Sequence, residues 1–208
     1  MFVITADQRR SRRRPDLVPV ALHELHAVRP RPVREFNRTA GDEIQGVAHA
    51  PETVVNVVVS LMRSQDWRLG IGIGPVQLPL PQEARAGRGP AFVAAREAVS
   101  RAHATVAQLA VASAQGRPPA ARAESALWLL CFVLRTRTAS GWEVTDLLGQ
   151  GLSQEQIAKQ LKISPSAVSQ RVRRSGWAEQ VRAESLSTHH LSVVDGKTEL
   201  DGIPKEWR

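Results

Sequence analysis

Two serines, Ser153 and Ser164, constrain this chain more than any other feature. Each stands just ahead of a short run with helical apolar spacing, where a hydroxyl can accept from a backbone N–H that the helix leaves unpaired. In "LSQEQIAKQLKISPSAVSQRVRRSGW" Gln156 follows Ser153 at the spacing of a capping box. Ile157, Ala158 and Leu161 form the inner face of that first helix, and Ala158 is small enough to let a neighbouring helix cross closely. Lys162 and Ile163 make a short turn. Ser164 then caps a second helix with Pro165 at its first position, and Val168 and Val172 turn it inward. The outer face is left to Ser166, Ser169, Gln170, Arg173 and Arg174.

This pattern predicts a helix-turn-helix, whose second helix lies in the major groove of double-stranded DNA. Gln170 can pair with an adenine edge, and Ser164, Ser166 and Ser169 can contact bases or phosphates. Arg173 and Arg174 can bind guanine or the backbone. The segment resembles the modules of LuxR-type regulators and of sigma-factor region 4. A helical hairpin used for protein contacts is the competing reading. The chain's charge favours a polyanionic partner, with 28 Lys and Arg against 20 Asp and Glu, a formal +8.

The 208 residues have room for one ordinary domain and a small second one, and 42% of them are hydrophobic, enough for a packed core. The single Cys131 excludes an internal disulfide framework, and no Cys/His group has zinc spacing. The apolar run from Ala126 to Leu134 is far shorter than the ~20 residues that span a bilayer. The N-terminal residues lack the order of a signal peptide. The expected location is the cytoplasm, with no membrane partner.

Along the chain, Phe2 to Ala6 reads as a buried strand, followed by "RRSRRR" (Arg9 to Arg14). Leu17, Ala21, Leu25 and Val28 recur at helical spacing. Phe36 to Val47 reads as a hairpin around Gly41 and Asp42. Val54, Val58 and Leu61 suggest a helix behind Pro51. "WRLGIGIGPV" alternates with period two and predicts a strand whose glycines mark close backbone approach. A loop over Leu78 to Gly89, a helix from Pro90 to about Ala104 and a strand in "TVAQLAVA" complete a β-α-β-β-α-β-α-β series. The expected organisation is an α+β domain over 1–114, a linker at 115–120 ("QGRPPA"), a helical unit over 121–184 and a polar tail over 185–208. The apolar segment Ala126 to Leu134 reads as core, with a homodimer seam as the alternative.

Three separated pieces of the first domain resemble known nucleotide sites. "FVITADQ" ends a strand in Asp7, "RTAGDE" puts Asp42 and Glu43 on a hairpin, and "LGIGIGPV" follows on a later strand. Their order resembles class III nucleotidyl cyclases and, more distantly, GGDEF diguanylate cyclases. The SatD family is closer still. It is similar in its Asp-x-x-x-Ser-Arg start (Asp7, Ser11, Arg12), its Gly-Asp-Glu-x-Gln-Gly hairpin (Gly41 to Gly46) and its Gly-Pro-Ala-Phe…Ala-Arg stretch (Gly89 to Arg96). The resemblance covers roughly residues 1 to 112 and implies a ferredoxin-like, cyclase-like domain.

What the resemblance implies about the site is specific. Asp7 and Asp42, with Glu43 beside them, are the counterparts of carboxylates that hold magnesium or manganese against a nucleotide. Arg9, Arg10, Arg12 and Arg96 are placed to neutralise phosphate oxygens. Phe92 stands where the cyclases carry an Asn, and arginines replace the glycine that would let the backbone cradle a triphosphate. The sequence therefore points to a DNA-binding regulator with a degenerate cyclase-like sensor or dimerisation domain. The alternative is an active cyclase-like enzyme with an accessory helix-turn-helix. A third reading is a module that reaches DNA only through an RNA polymerase complex.

Overall fold

The computed structural model describes residues 1–114 and 116–196. Its central strand is the first in the chain, β1 (Phe2–Gln8), whose alternating side chains enter two apolar layers. Phe2, Ile4 and Ala6 face the main core, and Val3 faces a smaller one on the opposite side. β1 pairs antiparallel with β3 (Glu43–Ala48) on one edge and with β4 (Trp67–Ile73) on the other. β2 (Arg34–Arg38) and β5 (Leu109–Ser113) complete the order β2-β3-β1-β4-β5, with β5 parallel to β4. The architecture is mixed α+β. Short 3-10 turns aside, the elements up to Ser113 follow the series expected from the sequence.

One face of the sheet is covered by α1 (Val18–His26) and α2 (Pro51–Ser64). The valines that β propensity would place in a strand instead line the buried side of α2: Val54, Val55, Val57 and Val58 are all inside. Pro51 occupies the first turn, where its missing N–H costs no helix bond. The other face carries α3 (Pro90–Ala102) at very short range. A Cβ built on Gly72 would stand 2.1 Å from the Ala91 carbonyl oxygen, and one on Gly70 would stand 2.2 Å from the Val99 nitrogen. The alternating glycines of β4 thus let a helix backbone lie directly on a strand. Ala94, Ala98 and Ala102 extend the same close contact to Ala110 and Ala112 of β5.

The remaining described elements are helices: α4 (Arg117–Thr136), α5 (Ala139–Gly149), α6 (Gln154–Leu161), α7 (Pro165–Arg174) and α8 (Trp177–Val194). Two sequence expectations change here. Of the stretch 115–120, expected to be a linker, residues 117–120 already belong to α4, with Gly116 as its N-cap. Pro118 and Pro119 fall in the first turn, the one stretch of a helix that tolerates proline. The residues from Ser185, expected to be a polar tail, continue α8 to Val194, with Leu191 and Val194 buried. Positions 197–208 of that tail lie outside the described residues.

The cores show why the boundary moves. Leu127, Leu130, Cys131 and Leu134 of α4 join the sheet's main cluster, together with Leu191 and Val194 of α8. The helical region expected at 121–184 therefore shares its core with the sheet, and only α5 to α7 keep a small core of their own. Burial pushes the Cys131 thiol up to about 12. Among the described residues no helix is long and apolar enough to cross a membrane.

Candidate nucleic-acid interface and candidate ligand cleft

The start of α6 carries both halves of its capping box. Ser153 Oγ accepts from the Gln156 backbone N–H at 3.3 Å, and Gln156 Oε1 accepts from the Ser153 N–H at 2.7 Å. Lys162 closes the helix in the left-handed region, with φ 54°. At the next helix, Ser164 Oγ accepts from Ala167 N at 3.2 Å and lies 3.0 Å from Ser166 Oγ. Val168 is fully buried against Val144 of α5 and Ile157 of α6, and Val172 packs beside it.

This inward stripe leaves Ser166, Gln170, Arg173 and Arg174 exposed, with Ser169 half-buried. Ser164 also caps α7, so its hydroxyl has a structural role. Among the described residues no carboxylate pairs with Arg173, Arg174, Lys159 or Lys162. Arg171 differs, because it donates to Glu143 of α5 at 2.8 Å and braces α7 from behind.

The α5–α7 unit is fastened to the rest of the fold around Trp142. Arg137, between α4 and α5, is buried and donates to the Ser175 carbonyl at 2.8 Å and to Thr145 Oγ1 at 3.3 Å. Its guanidinium stands 4.5 Å from the Trp142 ring centre, and Arg63 of α2 stands 4.8 Å from the same ring. Arg63 also binds Asp146 with both terminal nitrogens, at 2.9 and 2.8 Å. Desolvation lowers the pKa of Arg137, while the charges of Glu184 and Asp146 oppose that shift.

The second candidate is a cleft of about 410 Å³ at the C-terminal end of β1, lined by Asp7, Arg10, Arg12, Arg13, Asp42 and Arg68 among others. Antiparallel register puts Asp7 opposite Glu43 on β3 and Arg68 on β4. Asp7 Oδ2 accepts from Arg68 Nη1 at 3.1 Å, with His103 Nε2 3.7 Å away. Asp42 sits in the hairpin turn, and its backbone carbonyl accepts from the Gln8 N–H at 3.1 Å. Glu43 lies beside it but is engaged by the Thr39 hydroxyl at 2.6 Å.

The four arginines expected around a nucleotide do not gather at one point. Arg10 and Arg12 line the cleft. Arg9 turns away to donate to the Gln65 carbonyl at 2.8 Å. Desolvation lowers its pKa, and Arg68, Arg10 and Arg135 add to the shift. Arg96 is exposed on α3 in a separate groove with Phe92, Arg85 and Arg88. Phe92 itself is a core side chain, packed with Val3 and Val47 and seated over Gly87.

A divalent cation fits this donor set poorly. Asp7 is already paired with a guanidinium, Glu43 is held by a hydroxyl, and the described residues contain no group of three or more His, Cys, Asp or Glu side chains placed to hold a metal.

Sequence reasoning passed over Gln8, Arg68 and Arg137. Gln8 is buried and clamps the arginine loop, donating to the Pro15 carbonyl at 2.8 Å and accepting from Leu17 N at 2.9 Å. Arg68 had one signal, a charge at the edge of an apolar strand, but only the strand register shows its partner. No protein-family model matches the chain, and no curated protein and no solved structure matches it.

Proposed function

We propose that this chain is a DNA-binding transcriptional regulator that engages double-stranded DNA through α7. The observation that carries this reading is the row Gln170, Arg173 and Arg174: exposed, without carboxylate partners among the described residues, on a helix whose cap and inner face are complete. On this reading α6 and α7 are the helix-turn-helix, Gln170 reads a base edge, and Ser164, Ser166, Ser169, Arg173 and Arg174 contact bases or phosphates. A cytoplasmic location goes with that role.

The sheet domain is the sensor or dimerisation unit. The order β2-β3-β1-β4 supports a ferredoxin-like, cyclase-like reading with β5 added at the edge, as the resemblance to the SatD family implies. For a homodimer, α4 supplies outward apolar side chains: Leu129 is 59% and Phe132 69% exposed, although their neighbours Leu127 and Leu130 are core. Asp7, Asp42, Arg10 and Arg12 on one cleft support a nucleotide ligand. Magnesium or manganese at Asp7, Asp42 and Glu43 would have to displace Arg68 from Asp7.

The enzyme reading, a cyclase-like domain with an accessory helix-turn-helix, draws on the same two carboxylates. The test of the main reading is genome-wide immunoprecipitation of the tagged protein, with the recovered regions then bound by purified protein. Discrete peaks sharing a sequence are expected. No peaks, and no duplex binding by the purified protein, would overturn it. Formation of a cyclic nucleotide that is lost in Asp7→Ala and Asp42→Ala would establish the enzyme reading instead.

A further inference from the structure

The five arginines after β1 divide by what holds them. Arg9 and Arg14 are structural: the Arg9 N–H donates to the Asp66 carbonyl at 2.7 Å, its side chain reaches Gln65, and Arg14 pairs with the Asp66 carboxylate. Gln8 clamps the loop from beneath through Pro15 and Leu17. The loop is therefore fixed at both ends. Its three other arginines, Arg10, Arg12 and Arg13, have no carboxylate partner among the described residues, and all three line the cleft. Arg10 holds the left-handed backbone conformation, with φ 57°, that turns the chain there.

Charge in the cleft does not balance. Four guanidinium groups (Arg10, Arg12, Arg13 and Arg68) face two carboxylates, and one of those, Asp7, is already paired with Arg68. Among the described residues, the buried Nε atoms of Arg68 and of neighbouring Arg9 have no hydrogen-bond partner. Like charges crowded along a surface cleft are stabilised by an anion, and arginine forks match phosphate oxygens in geometry as well as charge.

We infer that this cleft binds the oxyanions of a polyphosphate-bearing ligand directly on Arg10, Arg12 and Arg13, with no divalent cation, because Arg68 occupies the position beside Asp7 that a cation would take. The inference rests on reading the cleft as a ligand site and specifies what that site recognises. It also reverses the role of Asp42. A carboxylate that bridges a metal to phosphate strengthens binding, but one that faces phosphate with no metal between them weakens it.

The experiment is isothermal titration calorimetry of the full chain with inorganic triphosphate and with ATP, each in EDTA and in magnesium. Binding in EDTA is expected, weakened about tenfold or more in Arg12→Ala/Arg13→Ala. Both residues are exposed, so the fold should be kept. In Arg31→Ala/Arg182→Ala, which removes the same charge from exposed positions outside both candidate sites, binding should be unchanged. Asp42→Asn should bind triphosphate more tightly. Tighter binding of ATP than of triphosphate would show that a nucleoside is recognised in addition to the same phosphate contacts.

Binding only in magnesium, lost in Asp42→Asn, would overturn the inference and leave the ligand-site reading standing. No binding under any condition would remove both. A loss of affinity for a random-sequence DNA duplex in Arg12→Ala/Arg13→Ala, equal to its loss for triphosphate, would also overturn it by assigning these arginines to the nucleic-acid surface.

Discussion

Arg137 stands over the Trp142 ring at 4.5 Å while its Nε donates to the Ser175 carbonyl just beyond α7. A single buried guanidinium thus joins the turn before α5 to the end of the exposed helix, with Arg63 of α2 on the same indole. Arg137→Ala removes the donor for a buried carbonyl and one cation from the ring, and should cost about 2–3 kcal/mol of stability in urea unfolding. Arg137→Lys should recover little, since one ammonium cannot reproduce the fork or the stacking. An unchanged unfolding midpoint in both variants would show that this contact does not hold the unit in place.

On the proposed reading of α7 as the DNA-contacting helix, its outer face predicts two kinds of loss in DNA binding. Arg173→Ala or Arg174→Ala should weaken binding nearly equally on all sequences and make the salt dependence shallower by about one unit of slope, as expected for a phosphate contact. Gln170→Ala should relax preference at one base position, at ~1–3 kcal/mol if the contact is bidentate. Fluorescence anisotropy over a salt series separates the two. Wild-type behaviour in all three variants would take α7 out of the interface.

The two glycines of β4 that face α3 predict an intolerant strand. Gly72→Ala puts a methyl group 2.1 Å from the Ala91 carbonyl oxygen, a backbone atom that cannot step aside without moving α3. The expected cost is about 3 kcal/mol or more, seen as lost soluble protein or a lowered melting temperature. Gly149→Ala, at a helix end with none of the described residues within 4 Å of its Cβ, is the control and should be neutral or stabilising by up to about 1 kcal/mol.

His190 on α8 predicts a pH dependence. Burial, then the neighbouring His189 and Arg122 of α4, disfavour its protonated form and hold it below the ordinary imidazole value of 6.5. Between the two values the unfolded chain binds the proton more readily than the folded one. Stability is therefore fully present above 6.5 and declines as pH falls through the lower folded value. Urea midpoints measured from about pH 7.5 to about 5.5 should fall, and His190→Gln should flatten that slope. An identical slope in the variant would assign the pH dependence to other groups.

Local chemistry made much of this molecule legible before its fold was known. Ser153 with Gln156 and Ser164 with Pro165 announce two helices, because a cap is a contact between residues three apart and needs nothing distant. The same is true of the alternation in β1 and β4 and of the hairpin at Gly41 and Asp42. Wherever the deciding partner was remote in sequence, the chain alone was silent. Pro118 and Pro119 look like a linker until the main core draws α4 onto the sheet through Leu127 and Leu130. The polar residues after Ser185 look like a tail until Leu191 and Val194 bury against that core. Asp7 reads as a metal ligand until β1–β4 register sets Arg68 opposite it, and Arg96 reads as its neighbour until α3 carries it to another groove. The sequence by itself determined the elements up to Ser113, the caps of α6 and α7 and the exposed face of α7, since helix caps and apolar periodicity are short-range. Only the tertiary structure decided where α4 and α8 belong and which charges share the cleft, because burial and strand register bring together residues that the chain keeps far apart.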